Sequence, residues 1–293
     1  MTSRRNFLKS SALISAGAMV APSVISCGGG AKKSSSKKEI GIQIYTIREQ
    51  LNADLTGALK KLSEIGYNSI EAAGFANAGG NYQFYGKSPK EFSKMLEDLG
   101  MKLLSSHTTF ELDKADAVCA AHAEAGCKYI VYPFLPENLR QNIDAYKAVG
   151  DMLNKMGEAA QKSGIQLGYH NHAFEYTEME GQIPMEVMMA ATDPKLVQYE
   201  IDIYWCTKAG KDPIQYFNKY PGRYELWHVK DIDNTPEKFF APVGSGTTNW
   251  EQVFAAREKA GMKHFFVEED RTKGDIWEDI TKSYNFLNNA KFV

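Results

Sequence analysis

Paired cysteines are the first thing missing. Of four cysteines, Cys27 lies in a Gly/Ser/Lys-rich N-terminal stretch, and only Cys119, Cys127 and Cys206 fall in the body of the chain. None has a CxxC spacing, and three thiols cannot make a paired framework, so a disulfide-built scaffold is excluded. Cys119 and Cys127 flank an expected helix end and read as small buried apolar residues. A long apolar run is missing too: the one near the N-terminus is too short and too interrupted by Ser to span a bilayer. Excess positive charge is also absent, since the formal net charge is −2. Removing Arg4, Arg5 and Lys9 with residues 1–26 leaves −5, and setting aside Lys32, Lys33, Lys37 and Lys38 leaves −9 on residues 39–293. Such a domain is a poor electrostatic partner for nucleic acid. Its charge is dispersed rather than blocked, which excludes a disordered acidic tail.

What is present begins with an address. TSRRNFLKSSALISAGAMVAPSVISC (residues 2–27) has paired Arg4 and Arg5, then a weakly apolar Ala/Ser run ending at Ser26–Cys27. This is the layout of a twin-arginine export signal with a lipoprotein cleavage box. The expectation is that residues 1–26 are removed, Cys27 is lipidated, and GGGAKKSSSKK is a flexible tether within residues 27–38. The protein is then exported to the periplasm, and its only membrane contact is the lipid anchor at Cys27. Residues 39–293 are expected to form one domain.

Within it, short apolar runs alternate with amphipathic stretches. The expected strands are EIGIQIYT, YNSIEAA, MKLLSSH, KYIVYP, IQLGYHNH, VQYEIDIYW, YELWHVKD and KHFFVEE, each followed by a helix. Ser88 is the expected N-cap, with Pro89 at the first position, of the second helix. Many helices end at glycine (Gly66, Gly100, Gly126, Gly164, Gly261), as C′ glycines do. Strict βα alternation requires a parallel sheet. An open doubly wound sheet would want a glycine-rich turn after its first strand. The segment here, TIREQLNADL, has no glycine. Eight units of about 32 residues match a closed (β/α)₈ barrel in count and length, so the fold class is α/β, a TIM barrel.

In such barrels the active site lies at the C-terminal strand ends. The inward residues expected there are Tyr45, Glu71, His107, Tyr132, His170, Asp202, His228 and Glu268. Burying so many ionisable groups is costly without a partner. A divalent cation is the simplest one. His170, Asp202, His228 and Glu268 come from four consecutive strands and can converge on one point. Two imidazoles and two carboxylates suit Mn²⁺, Zn²⁺, Fe²⁺ or Co²⁺ better than Ca²⁺. In LGYHNHAFEY (residues 167–176), His170 and His172 leave one face of a strand. The pair reads as metal ligands, as proton carriers, or as a hydrogen-bonded polar pair. His122 and His264 read as structural or solvated. Lys230 could hold a substrate oxygen or a rim carboxylate, and Glu71 could orient a hydroxyl or a ligand histidine. Glu200 reads as the deeper member of a buried pair with Asp202. Trp205, Phe110 and Trp250 could stack on a sugar face or pack a lid.

GYHNHAFEY, EIDIYWCTKAGKDPIQYF, YELWHVKDID, VGSGTTNWEQVF and FFVEED together resemble the xylose isomerase-like barrel superfamily. The closest resemblance is to its sugar (phosphate) isomerase/epimerase branch with a YHNH motif. It runs from Gly41 to the last helix and is tightest in the second half. The resemblance implies proton abstraction beside a carbonyl, with one metal, Mn²⁺ first, held by His170, Asp202, His228 and Glu268. It also implies Glu268 as the base, with His107 or His172 as second proton carrier. His170 departs from the family's glutamate, so a two-carboxylate epimerase mechanism does not transfer whole. An unphosphorylated sugar is the expected substrate, because the one weak phosphate-loop candidate is VGSGTTN. The alternatives are a lyase or hydratase acting on 3-keto-glycosides, and a carbohydrate-binding lipoprotein without turnover.

Overall fold

The computed structural model describes residues Lys38–Val293. The expected signal segment, Cys27 and all of the tether before Lys38 lie outside the described residues. The strands are β1 (Gly41–Gln43), β2 (Ser69–Ala72), β3 (Phe75–Ala78), β4 (Asn81–Phe84), β5 (Lys102–His107), β6 (Tyr129–Tyr132), β7 (Gln166–His170), β8 (Val197–Asp202), β9 (Leu226–Val229), β10 (Asp231–Ile232), β11 (Phe240–Ala241) and β12 (His264–Val267). Eight of them close into a barrel in the order β1-β12-β9-β8-β7-β6-β5-β2. Every pairing around the barrel is parallel, as strict βα alternation demands. Two short hairpins, β3–β4 and β10–β11, are added at the C-terminal ends of β2 and β9.

The helices are α1 (Arg48–Ala53), α2 (Leu55–Ile65), α3 (Pro89–Asp98), α4 (Ala115–Glu124), α5 (Ile143–Lys162), α6 (Pro184–Ala191), α7 (Ile203–Lys208), α8 (Pro213–Lys219), α9 (Trp250–Ala255), α10 (Arg257–Ala260) and α11 (Ile276–Asn289). Local chemistry starts them where the sequence indicates. Ser88 caps α3 in a full capping box with Glu91, and Pro89 follows it. No helix among the described residues is long and apolar enough to cross a membrane. His122, expected to be structural, is buried and bonds Val118 O and Thr108 Oγ1. All three body cysteines are free and buried.

Most barrel strands are buried on both faces, so apolar periodicity cannot say which face looks inward. Register decides it. Leu104, Tyr129, Val131, Leu226 and Phe266 pack together as the apolar floor inside the barrel. Gly41 makes room for that floor: a Cβ there would lie 2.5 Å from Phe266 Cδ1. Tyr132, expected to face inward, pairs beside Tyr169 and joins the outer core, because Val131 takes the inward place beside Gly168. The pairing of β2 with β5 skips one residue, running Ile70–Leu103 and then Glu71–Ser105. This irregularity turns Leu104 and Ser105 inward in succession and leaves His107 facing the axis.

Candidate active site

Above the apolar floor lies a ring of polar side chains. Gln43, Glu71, Ser105, Glu200 and His228 are all fully buried. Gln43 Nε2 donates to Glu71 Oε2 at 2.9 Å, and Ser105 Oγ donates to Glu71 Oε1 at 2.6 Å. His107 Nε2 sits 2.6 Å from Glu200 Oε2 and 3.3 Å from Glu71 Oε2. His228 Nε2 sits 2.7 Å from Glu71 Oε2 and 3.2 Å from Glu200 Oε2. Two carboxylates and two imidazoles thus close on one another. Burial pushes Glu71 up, but His107 and the bond from His228 outweigh it and hold the carboxyl at about 2. Burial and the charge of Glu71 push Glu200 well above the ordinary carboxylate range.

One layer higher, donor atoms of His170, Asp202, His228 and Glu268 all lie within 4.8 Å of one another. Each is oriented from behind. His170 Nδ1 donates to Pro133 O at 3.2 Å, leaving Nε2 to face Asp202 Oδ2 at 3.3 Å. Asp202 spends Oδ1 capping α7 through Trp205 N at 2.8 Å, which aims Oδ2 at the cluster. His228 is engaged below through Nε2, so Nδ1 turns upward. That Nδ1 is buried without a hydrogen bond, although it lies 2.8 Å from Glu268 Oε2 and 3.8 Å from Asp202 Oδ2. A lone pair buried against two carboxylates needs a positive charge between them. Burial alone would lower His228, but Glu200 and Glu268 raise it well above the usual imidazole value, so a proton fills that need. A divalent ion fits the same place. The donors are those of transition-metal sites, and the ring of Glu71 and Glu200 supplies the oriented carboxylates that such histidines use.

Lys230 is the second cation here. It is 1% exposed. Its Nζ lies 2.9 Å from Asp202 Oδ2, 2.6 Å from Glu268 Oε2 and 2.9 Å from Asp270 Oδ1. Burial opposes its charge, but Asp202, Asp270 and Glu268 raise its pKa well above the lysine norm. Burial would likewise raise Asp202 and Glu268, but Lys230 and the nearby histidines hold both well below the carboxylate range.

Above these groups opens a cavity of about 670 Å³ at the C-terminal end of the barrel, which Asp202 and His228, fully buried, do not line. Glu268, Lys230, His107, His170 and His172 reach it, with Tyr45 and Trp205 on its walls. His172 stacks on Phe174 with rings 5.6 Å apart and 4° from parallel. Its backbone N–H donates to Glu175 Oε2 at 2.8 Å. Burial, aided by His170 and Lys230, drives the His172 imidazole down to about 2, so it is neutral at physiological pH.

Three expectations need correction. Tyr45 does not end a strand: β1 stops at Gln43, and Tyr45 sits on a 3₁₀ turn (Ile44–Ile47), 45% exposed at the rim. Phe110 lies in the hydrophobic core and does not line the cavity. Trp250 opens α9, is buried, and donates Nε1–H to Asp231 Oδ2 at 2.9 Å, away from the cavity. Both aromatics are buried in the protein interior rather than at the rim. Sequence reading also missed Asp270, Arg48, Arg271, Phe134 and Phe240, which line the cavity. Asp270 was within reach, because it is two residues beyond Glu268 on the same face, as Lys230 is beyond His228.

The xylose isomerase-like TIM barrel family matches residues 59–289. The chain belongs to that family. A solved sugar phosphate isomerase/epimerase from Parabacteroides distasonis shares 29% identity, with a TM-score of 0.79, over 89% of this chain and 97% of that one. An inosose dehydratase of Lacticaseibacillus casei is 21% identical over 244 residues, 69% of this chain and 81% of its own length. The solved IolI protein, described with a bound zinc atom, superposes with a TM-score of 0.66 over 87% of this chain and 99% of that one, at 16% identity. The family is one of enzymes, and this chain carries its fold and a buried donor set able to hold a metal ion.

Proposed function

We propose that this protein is a divalent-metal-dependent enzyme that removes a proton beside the carbonyl of an unphosphorylated sugar or sugar derivative, acting as an isomerase or epimerase. The observation that carries the reading is the buried four-donor set, two of whose members, His170 and Glu268, also line a sugar-sized cavity, with the unpartnered Nδ1 of His228 turned toward the set. His170, Asp202, His228 and Glu268 would hold the ion. When bound, it supplies a Lewis acid for a carbonyl and for the negative charge that builds as the adjacent proton leaves. Mn²⁺ is our first choice, and the zinc of IolI makes Zn²⁺ the next.

The chain's own residues divide the remaining work. Glu268 reaches both the donor set and the cavity, and its carboxyl stays ionised, so it is the base. Lys230 stays protonated beside it and offers N–H to a substrate oxygen. His107 reaches the cavity, but its Nε2 is engaged by Glu200. Among the described residues the one other carboxylate lining the cavity is Asp270, two residues beyond Glu268, so none faces Glu268 from the opposite side. One base suffices for proton transfer between adjacent carbons, or for elimination. The similarity to an inosose dehydratase therefore favours a second reading, loss of water after the same proton abstraction.

The test is metal analysis of the purified chain, then NMR in D₂O with ketoses and keto-glycosides. Solvent deuterium should enter the substrate carbon, and Glu268→Gln should abolish that exchange while folding is kept. Release of water without exchange into recovered substrate would select the dehydratase. Absence of stoichiometric metal, with turnover intact, would sink both. The N-terminal signature supports export and anchoring. Mass spectrometry of the native protein should find a lipidated Cys27 as first residue, and an intact Met1 would rule that out.

A further inference from the structure

We propose that the mouth of the cavity binds a carboxylate carried by the substrate, with Arg271 as its fork-shaped partner and Arg48 beside it. The substrate class is then an acidic sugar, such as a hexuronate, rather than a neutral one. The proposal rests on the reading of the cavity as a sugar site.

The argument is one of charge placement. The folded region is acidic overall, yet among the described residues neither Arg271 nor Arg48, both at this mouth, pairs with a carboxylate. The carboxylates lining the cavity are Glu268 and Asp270, and both are bound to Lys230. Nearby, Asp233 is bound to Lys273. Arg271 takes part in none of these pairs. Its guanidinium lies 5.5 Å from the centre of the Phe239 ring and 5.8 Å from that of Phe240, within reach of a cation–π attraction. Arg48 is held by neutral acceptors: Nη1 donates to Tyr45 O and Nη2 to Asp270 O, each at 3.0 Å. It also lies 4.4 Å over the Tyr45 ring. Its charge is therefore positioned but not cancelled.

Planar guanidinium forks match carboxylates, and bonds between ionised groups are about twice as strong as neutral ones. The same forks match phosphate, so what separates the two ligands is the rest of the site. Phosphate cradles are built from successive backbone N–H groups in glycine-rich turns. Among the described residues, no glycine lines this cavity.

Titration of the Mn²⁺-loaded chain at low ionic strength decides it, by calorimetry and by the fluorescence of Trp205 in the cavity wall. The ligands are D-glucuronate and D-galacturonate, the matching neutral hexoses, and glucose 6-phosphate. Uronates should bind at least about tenfold tighter than their hexoses, and added salt should erode the difference. Arg271→Met should collapse that preference to within about twofold, and Arg271→Lys, which keeps the charge without the fork, should restore only part of it. Equal binding of hexose and uronate would overturn the inference while leaving the sugar site standing. So would tighter binding of the phosphate ester, or a preference untouched in Arg271→Met. Binding of no sugar at all would overturn both readings.

Discussion

His228 is the residue on which the site turns. One ring nitrogen faces the lower ring of Glu71 and Glu200, and the other faces Asp202 and Glu268. The lower contacts fix the tautomer, and that choice makes the upper nitrogen available to a metal. Lys230 shares the duty of neutralising Asp202 and Glu268. Removing one partner of a buried ion pair costs about 3–5 kcal/mol, because a charge is left uncompensated. Lys230→Met should therefore lower the melting temperature of the metal-free protein by several degrees. Divalent metal should raise the melting temperature of that variant more than that of the wild type, since the ion replaces the missing charge. Equal metal-induced shifts would show that Lys230 and metal do not answer to the same carboxylates. His172 differs in kind. Burial holds its imidazole neutral, with a pKa of about 2. His172→Asn should cost about 10–100-fold in turnover by loosening the wall beside His170. It should leave the shape of the pH–rate profile between pH 5 and 9 unchanged, and a lost limb would show that His172 does ionise there.

At the scale of elements, the segment from β10 to α9 is organised by one carboxylate. Asp231 is fully buried. Oδ2 accepts from Gly244 N, Gly246 N and Trp250 Nε1 at 2.9, 3.2 and 2.9 Å, and Oδ1 accepts from Thr248 N at 3.1 Å. Gly246 is required by this closeness, since a Cβ there would lie 2.4 Å from Asp231 Oδ1. The stretch VGSGTTN, weighed above as a phosphate loop, thus spends its N–H groups on a side chain of the protein itself. The same segment carries Phe240, one wall of the cavity. An amide at residue 231 can accept through only one oxygen, and hydrogen bonds to charged groups contribute about 1.5–3 kcal/mol each. Asp231→Asn should lose about 3 kcal/mol in urea unfolding and weaken ligand binding in the cavity. Stability within about 0.5 kcal/mol of wild type, the range of ordinary surface changes, would refute this account of the segment.

At the scale of the whole molecule, the domain is tied off at the N-terminal face of the barrel, opposite the site. Glu39 Oε1 lies 2.5 Å from His264 Nδ1, and its other oxygen pairs with Lys102, joining the start of the chain to β5 and β12. The bond from His264, against the effect of burial, and the pairing with Lys102 lower the Glu39 carboxyl from 4.5 to about 2. A carboxyl depressed by folding adds stability above its unfolded pKa and loses it as pH falls through the folded one. The contribution is therefore present at pH 5 and fades between pH 4.5 and 2. Thermal melts across that window should fall more steeply for wild type than for Glu39→Gln. Parallel curves would mean that the tie carries no pH-dependent stability.

Local chemistry is what the sequence by itself determined. Caps such as Ser88–Pro89, glycines after helices and the alternation of short apolar runs with amphipathic stretches act over a few residues, so the eight-unit barrel was legible from them. So was the succession of polar residues at the ends of the fifth to eighth barrel strands, because period two places Asp270 beyond Glu268 and Lys230 beyond His228. Facing direction was not legible where a strand is buried on both sides: the inward place of Val131 over Tyr132 follows from pairing beside Gly168. The rim was not legible either. Tyr45, Phe110 and Trp250 lie beyond the strand ends, where no period applies, and only the folded chain decides which aromatic meets the cavity and which meets Asp231. Nor does sequence spacing disclose the pairing of charges. That Lys230 neutralises Glu268 and Asp270, and that Arg271 is left over at the mouth, is settled by distances between strands far apart in the chain, because electrostatic energy depends on separation in space.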